Sequence, residues 1–170
     1  DNSFSGHGFG ISSAYYRIGL IYQDRGEMKE ALAAYQEALE ADAFAGSWEK
    51  AEVHYEMGMV FLLTGRDLDD QIGQFQEALE FYPLHYWAHV SLGQAYYERY
   101  KDLRTAEKEL RVAMEIAPDG KWPYRLLGQM YQKEGEHNQA REMYERVLEL
   151  DENDEYAREA LEAIRVTADE

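Results

Sequence analysis

The sequence contains no cysteine, which excludes disulfide bridges, thiol nucleophiles and thiolate metal sites. Only three of its 170 residues are proline, and no apolar run approaches the roughly twenty residues that a membrane span needs. Basic residues are also few, because 17 Lys and Arg stand against 34 Asp and Glu, and the net charge is −17. A charge of this sign repels phosphate backbones and anionic lipid surfaces. We therefore expect neither nucleic acid as a partner nor direct membrane insertion by this segment.

The residues that are present are sufficient for a folded core. Hydrophobic residues make up 45% of the chain, which is typical of a globular protein and not of a disordered one. The negative charge either attracts a basic partner or only confers solubility. The chain begins with Asp1 and not with Met, which indicates a fragment or a processed product.

A short pattern occurs four times in the sequence. Each copy has a ring-bearing residue, an apolar residue just before a glycine, and an aromatic residue three places after that glycine. The glycines are Gly19, Gly58, Gly93 and Gly128, which lie 39, 35 and 35 residues apart. Glycine costs about 1 kcal/mol in a helix relative to alanine, so its presence in four helices predicts close packing of two helix backbones.

A second apolar stripe follows each copy of the pattern. The stripes are Ala31-Leu32-Tyr35-Ala38-Leu39, Ile72-Phe75-Ala78-Leu79, Ala106-Leu110-Ala113-Met114 and Ala140-Tyr144-Val147-Leu148. Spacings of three and four residues place each stripe on one face of a helix, so each unit is predicted to be a helix pair. Gly26, Gly65 and Gly135 lie between the paired helices and can adopt the positive φ of a tight turn, whereas Tyr100 occupies that place in the third unit.

This tandem pattern resembles the tetratricopeptide repeat family. The resemblance implies an all-α fold, a right-handed superhelical solenoid of antiparallel helix pairs with four repeats and a C-terminal capping helix. The expected parts are a flexible segment at 1–11, four units at about 12–46, 51–85, 86–120 and 121–154, and the capping helix and tail at 155–170. Gln71 departs from the pattern, because a small residue is expected there. Ser47 ends a connection that is longer than those between the other units, and it is expected to cap the next helix.

The resemblance also indicates where a partner would bind. In this family the first helices of the pairs line the concave face, and ligands lie across them. The residues that correspond to this face are Tyr16, Leu20, Gln23, Tyr55, Met59, Leu62, Trp87, Val90, Gln94, Tyr97, Trp122, Arg125, Gln129 and Gln132. Aromatic side chains and Met are typical of binding hot spots and adaptable surfaces. Trp87 and Trp122 share one register, so packing between neighbouring units is the alternative reading for them.

The expected ligand is a protein segment of defined character. Chaperone-binding members of the family hold a terminal carboxylate with a Lys/Asn clamp, but Tyr16, Leu20 and Tyr55 occupy corresponding places here. An apolar helix or extended peptide, flanked by Lys or Arg, is expected instead. The predicted function is a protein–protein interaction scaffold. The alternatives are an assembly module whose groove is filled by its own N-terminal segment (Phe4, Phe9, Ile11) or by a second copy as a homodimer, and an accessory domain of a larger protein.

No motif in the sequence indicates catalysis or a cofactor. Phosphate-binding glycine loops and nucleophile elbows do not occur, so we expect no enzyme, no catalytic residue and no cofactor. His85 and His89 are four residues apart, but no third ligand at a known spacing accompanies them, so packing is expected and not metal binding. Asp67, Asp69 and Asp70 are expected to place charge at a helix N-terminus. The sequence does not specify the compartment, and the breadth of the family slightly favours the cytoplasm.

Overall fold

The part of the chain that the structure describes consists of helices joined by turns and short connections. The computed structural model describes residues 10–168, and no strand occurs among them. The helices are α1 Ile11–Asp24, α2 Met28–Ala41, α3 Ser47–Leu63, α4 Leu68–Phe81, α5 Tyr86–Tyr100, α6 Leu103–Ile116, α7 Lys121–Lys133, α8 His137–Leu150 and α9 Glu155–Ala168. This order confirms the predicted all-α class.

The helices group into two compact units that divide between His85 and Tyr86. In unit 1, α1 packs on α2 and α3 packs on α4, and α2 contacts α3. In unit 2, α5 packs on α6 and α7 on α8, α6 contacts α7, and α9 packs on α8. We call α1, α3, α5 and α7 the A helices, and α2, α4, α6 and α8 the B helices.

Each A-helix glycine lies against a bulky side chain of its paired B helix. A Cβ added to Gly58 would lie 2.6 Å from Cε1 of Phe75, and one added to Gly128 would lie 2.8 Å from Cε1 of Tyr144. Both rings are fully buried, so they have little room to move away. The close helix packing predicted from the four glycines is therefore confirmed.

The A–B turns use a left-handed residue. Gly26, Gly65 and Gly135 have φ of 76°, 66° and 79°, as their positions in the sequence predict. In the third turn α5 continues through Tyr100, and the positive φ of 55° falls on Lys101. Because Lys101 has a Cβ, this conformation costs it more than it costs the glycines.

The start of α3 differs from the prediction. Ser47 is the first residue of α3, and Gly46 occupies the cap position without a side-chain hydrogen bond, so the prediction that Ser47 caps the helix is wrong. The local polar partner is Glu49. Its carboxylate accepts hydrogen bonds from the Ala45 N–H at 3.2 Å and from the Ser13 hydroxyl at 2.8 Å. The connection is therefore held by a buried carboxylate.

The start of α4 accounts for two other unusual features of the sequence. Asp67 caps the helix, because its carboxylate accepts from the Asp69 N–H at 2.8 Å. Gln71 is buried where a small residue was expected, and its Nε2 donates to the Arg66 carbonyl oxygen at 2.9 Å. This hydrogen bond offsets the cost of burying the amide.

The N-terminal segment predicted at 1–11 lies outside the described residues apart from Gly10 and Ile11. Ile11 is the first residue of α1. The hypothesis that Phe4 and Phe9 fill the groove stays a prediction.

Candidate functional site

Unit 1 presents a partly exposed surface along its two A helices. The predicted residues Tyr16, Leu20 and Gln23 lie on α1, and Tyr55, Met59 and Leu62 lie on α3. All six retain accessible surface, and Leu62 is the most open of them. Tyr16 and Leu20 also pack against the buried cluster of unit 1, so their positions are fixed by the core.

Gln23 is held between a tyrosine and a glutamate. The Tyr35 hydroxyl donates to its Oε1 at 2.8 Å, and its Nε2 donates to Oε2 of Glu56 at 2.8 Å. Gln132 has the same relation to Tyr144 in unit 2, where the hydroxyl donates to the amide oxygen at 3.0 Å. These two predicted residues are therefore positioned by hydrogen bonds from the B helix.

Carboxylates lie beside the predicted residues of α3, and the sequence analysis did not identify them. Glu49, Glu52 and Glu56 are spaced three and four residues apart, which places them on one side of the helix. Glu49 is buried, whereas Glu52 and Glu56 are partly exposed, and Glu52 Oε1 lies 3.5 Å from Nε2 of His85. The spacing could have revealed this row, but acidic residues are so frequent in this chain that the pattern did not stand out.

Burial and local charge raise the pKa of two groups on this surface. Burial, followed by the charges of Glu52, Glu56 and Glu49, raises the pKa of the Tyr16 phenol, so it stays neutral. Burial raises the pKa of Glu56, against the hydrogen bond from Gln23 that lowers it, and the charge of Glu52 raises it further. A cation placed near Glu56 would lower the pKa of this carboxyl, because an opposite charge favours the ionised carboxylate.

Aromatic side chains complete the surface of unit 1. The Tyr55 ring lies 5.9 Å from that of Phe75 and 4.9 Å from that of His85. Trp48 is largely exposed four residues before Glu52 and seven before Tyr55, so it lies on the same side of α3. Trp48 was also missed, because it falls outside the repeated pattern. We call these residues the unit 1 face: Tyr16, Leu20, Gln23, Trp48, Glu52, Tyr55, Glu56, Met59 and Leu62.

The predicted residues of unit 2 differ in their exposure. Trp87 and Trp122 are each 45% exposed, whereas Val90 and Tyr97 are 5% and 4% exposed and belong to the buried cluster of this unit. Val90 and Tyr97 therefore have little surface to offer a partner. Their burial depends on how neighbouring helices cover α5, which periodicity alone does not reveal.

The remaining predicted residues of unit 2 are partly exposed. Gln94 donates to Glu98 at 2.8 Å, and Gln129 keeps accessible surface on α7. The hydroxyl of Tyr97 donates to Oε1 of Glu134 at 2.8 Å, which satisfies its buried polar group.

Arg125 lies in a cluster of rings and carboxylates. Its guanidinium is 4.2 Å from the Tyr156 ring centroid and 5.4 Å from that of Trp122, and its Nη1 is 3.7 Å from Asp154. Lys121 donates to the same Asp154 carboxylate at 3.0 Å. Burial alone would raise the pKa of Asp154, but the Ala157 N–H and these two cations lower it on balance. The predicted basic residue is therefore already paired within unit 2.

Two histidines occupy equivalent positions and make equivalent contacts. Nδ1 of His54 lies 3.0 Å from Oε1 of Gln74, and Nδ1 of His89 lies 2.8 Å from Oε2 of Glu109, with 35 residues between the two pairs. His54 also stacks on Phe81, with ring centroids 5.5 Å apart. Among residues 10–168, no group of three or more His, Asp or Glu side chains is arranged to hold a metal ion.

The helix pairs and their sequence pattern agree with one repeat family. The profile of the tetratricopeptide repeat matches residues 12–43 and 123–154, the first and fourth helix pairs. The chain contains tetratricopeptide repeats. The two tyrosine–glutamine hydrogen bonds described above occur in these two pairs. The pairs that the profile does not match have Phe75 and Leu110 at the tyrosine position.

Solved structures share the fold of this chain. MamA from Desulfovibrio magneticus RS-1 (residues 41 to the end) is 24% identical, with a TM-score of 0.79 over 95% of this chain and 88% of that one. YrrB, described as having an unusual peptide-binding site, is 20% identical, with a TM-score of 0.73 over 88% and 73%. The first repeat domain of Spaghetti (RPAP3), bound to the HSP90 peptide SRMEEVD, is 24% identical, with a TM-score of 0.67 over 72% and 96%.

No curated protein matches the sequence of this chain. Within the described residues, none of the helices is both long and apolar enough to cross a lipid bilayer.

Proposed function

We propose that this protein is a non-enzymatic scaffold and that its unit 1 face binds a helix or extended segment of a partner protein. The observation that carries the proposal is the alternation of partly exposed rings and apolar side chains with carboxylates on α3. Tyr55 and Met59 offer apolar contact area, and Glu52 and Glu56 flank them with negative charge. Peptide binding described for YrrB and for the Spaghetti domain supports a role of this general kind.

The expected partner segment is apolar with Lys or Arg at its flanks. Residues 51–85 contain seven acidic residues and one basic residue, whereas residues 86–120 contain six and five. A basic flank is therefore attracted most strongly to unit 1. A cation beside Glu56 is also attracted by the charges of Glu52 and Asp24, which, after burial, help to raise the pKa of that carboxyl.

An acidic peptide is not expected to bind the unit 1 face. The Spaghetti domain binds the peptide SRMEEVD, which carries three acidic residues. On this chain such a peptide would meet Glu52 and Glu56, and like charges at short distance cost binding free energy. SRMEEVD is therefore a suitable negative control.

In unit 2 we propose a second contact area around Trp87, Gln94, Trp122 and Gln129. Trp122 and Trp87 are exposed to the same extent, and tryptophan is enriched in binding hot spots. Since Arg125 and Lys121 are paired with Asp154, we expect apolar and hydrogen-bonding contacts here, without strong selection by charge.

The experiment that tests the proposal is affinity capture from a lysate of the source cell with charge-matched variants. Glu52→Gln with Glu56→Gln removes two charges from the unit 1 face. Glu77→Gln with Glu80→Gln removes two exposed charges from α4 and is the control. We expect a partner that is retained by the wild type and the control and lost by the face variant. Equal capture by all three proteins, or no specific capture, would contradict the proposal.

A further inference from the structure

Two hydrogen bonds connect a buried tyrosine of α2 to the unit 1 face. Tyr35 is fully buried, and its hydroxyl donates to Oε1 of Gln23 at 2.8 Å. Nε2 of Gln23 in turn donates to Oε2 of Glu56 at 2.8 Å. These hydrogen bonds join side chains of α2, α1 and α3 in one line, which we call the Tyr35 relay.

The ring of Tyr35 is fixed by its packing against α1. A Cβ added to Gly19 would overlap Cε1 of Tyr35, so the ring lies directly against the helix backbone. Gln23 follows Gly19 by four residues, on the same side of α1, which brings its amide within reach of the hydroxyl. Burial, followed by the charge of Glu56, raises the pKa of the Tyr35 phenol, so the hydroxyl keeps its proton and can donate it.

The Tyr35 hydroxyl sets the orientation of the Gln23 amide. A buried hydroxyl needs an acceptor, and an amide has an acceptor oxygen on one side and a donor nitrogen on the other. Because Oε1 faces Tyr35, the N–H groups of Nε2 face Glu56. A donor beside a carboxylate favours its ionised form, whereas a reversed amide would present its oxygen and favour the protonated acid.

Glu56 depends on this hydrogen bond because its surroundings oppose ionisation. Burial raises its pKa most, and the charges of Glu52 and Asp24 raise it further. The hydrogen bond from Gln23 is the largest influence that lowers the pKa, and the charge of His85 lowers it less. The charged state of this face carboxylate is therefore sensitive to the direction of the Gln23 amide.

We infer that Tyr35 is a positioning residue for partner binding: acting through Gln23, it holds the Glu56 carboxylate in place and in its charged form for the basic residue of the partner segment. The inference rests on the proposed binding at the unit 1 face. It assigns a role in recognition to a residue that the partner cannot touch, because Tyr35 is fully buried.

The fourth helix pair provides an internal comparison. The hydroxyl of Tyr144, which is also fully buried, donates to Oε1 of Gln132 at 3.0 Å. The acceptor at the other end is not repeated in the same way. The residue two places before the helical glycine is Glu56 in α3, whereas Ser91 and Leu126 occupy this position in α5 and α7. Tyr144 is therefore a matched tyrosine whose loss should not affect Glu56.

NMR titration of the side-chain carboxyl carbons in the free full-length chain tests whether Tyr35 controls Glu56. Tyr35→Phe removes the hydroxyl and keeps the ring, and Tyr144→Phe makes the same change as a control. We expect Glu56 to titrate at a higher pH in Tyr35→Phe than in the wild type, because the amide is no longer held with its donor toward the carboxylate. Tyr144→Phe should leave this titration unchanged. An unchanged Glu56 titration in Tyr35→Phe, shown to be folded by circular dichroism, would overturn the inference.

Calorimetric titration with a helical peptide that carries Lys at the flanks of one apolar face tests the role in binding. We expect Tyr35→Phe to weaken binding at neutral pH about fivefold, since a hydrogen bond of this kind is worth about 1 kcal/mol. Tyr144→Phe should bind as the wild type does. In a Glu56→Gln background, Tyr35→Phe should cause no further loss, because no charge remains to be positioned. A loss of the same size in that background would show that Tyr35 acts only on the packing of unit 1.

The pH dependence of peptide binding separates positioning from general destabilisation. Protonation of Glu56 removes its charge, so the affinity should fall as the pH is lowered, and the fall should begin at a higher pH in Tyr35→Phe. Identical pH profiles for this variant and the wild type would contradict the positioning role. If the peptide does not bind the wild type at any pH, the proposed function fails and the role in recognition falls with it. The titration of the free chain then still shows separately whether Tyr35 controls the charge of Glu56.

Discussion

At the scale of single residues, the contact between a helical glycine and a bulky buried side chain sets the spacing of each helix pair, and that side chain is a ring in the first, second and fourth pairs and Leu110 in the third. The sequence predicted close packing at these glycines, because four glycines in helices require a packing reason. It did not reveal the exposure of individual face residues. Val90 and Tyr97 share the repeat register of Tyr55 and Leu62 but are buried. Burial depends on neighbours that a single-helix pattern does not contain.

Gly58→Ala and Gly73→Ala test the glycine contact with the same chemical change. A Cβ at Gly58 meets the Phe75 ring, whereas nothing lies within 4 Å of a Cβ at Gly73 on α4. We expect Gly58→Ala to lose about 1–2 kcal/mol of unfolding free energy, because overpacking exceeds the gain in helix propensity. Gly73→Ala should gain about 0.5–1 kcal/mol. Urea denaturation measures both, and a stabilised Gly58→Ala would show that the ring can move.

The His89–Glu109 pair should make stability depend on pH. The hydrogen bond with His89, opposed by burial, lowers the pKa of Glu109. A depressed carboxyl pKa contributes stability above the unfolded value of about 4.3, and this contribution is lost as the pH falls through the folded value. Glu109→Gln, which copies the His54–Gln74 pair, should lose about 1–2 kcal/mol at neutral pH and little at acid pH.

Thermal unfolding between pH 7 and pH 3 measures this difference. Glu115→Gln changes an exposed carboxylate on the same helix and is the control. If the stability of Glu109→Gln changed with pH in parallel with that of the wild type, the pair would contribute no pH-dependent stability.

At the scale of helices and turns, the sequence predicted the order of elements well and their ends less well. Three turn glycines were correctly identified from their place between two apolar stripes. In the third turn the sequence placed Tyr100 at the position of the turn glycine, but α5 continues through Tyr100 and Lys101 takes the left-handed conformation. The Ser47 cap failed because Glu49, buried against Ser13 and Ala45, organises that connection. Capping rules consider only residues that are close in sequence, so they could not predict a partner 36 residues away.

The strain of the third turn leads to a prediction for Lys101→Gly. Because Lys101 has a φ of 55°, we expect glycine there to stabilise unit 2 by about 0.5–1 kcal/mol. Gly65→Ala makes the opposite change at φ 66° with open space around the new Cβ, and should lose about 1 kcal/mol. Chemical denaturation provides the comparison. If Lys101→Gly destabilises the protein, the contact of its Nζ with the Tyr97 ring outweighs the backbone strain.

At the scale of the whole molecule, the difference in charge between its parts favours a basic ligand in unit 1. Repeat identity and the A-helix positions followed from the sequence, because the pattern recurs in phase. The carboxylates at Glu52 and Glu56 were not recognised, because the repeat fixes apolar positions and leaves the intervening ones unconstrained. The structure places Gln23 beside Glu56 and His85 beside Glu52.

Calorimetric titration with two designed amphipathic helical peptides tests most directly whether the unit 1 face binds a basic segment. The peptides share one apolar face and differ only in Lys or Glu at the flanks. We expect the Lys-flanked peptide to bind the wild type and the Glu77→Gln, Glu80→Gln control. Binding should weaken at least about tenfold with Glu52→Gln and Glu56→Gln, because each lost charge-assisted contact is worth about 1 kcal/mol or more. Equal binding of both peptides, or binding unchanged by loss of Glu52 and Glu56, would contradict recognition by this face.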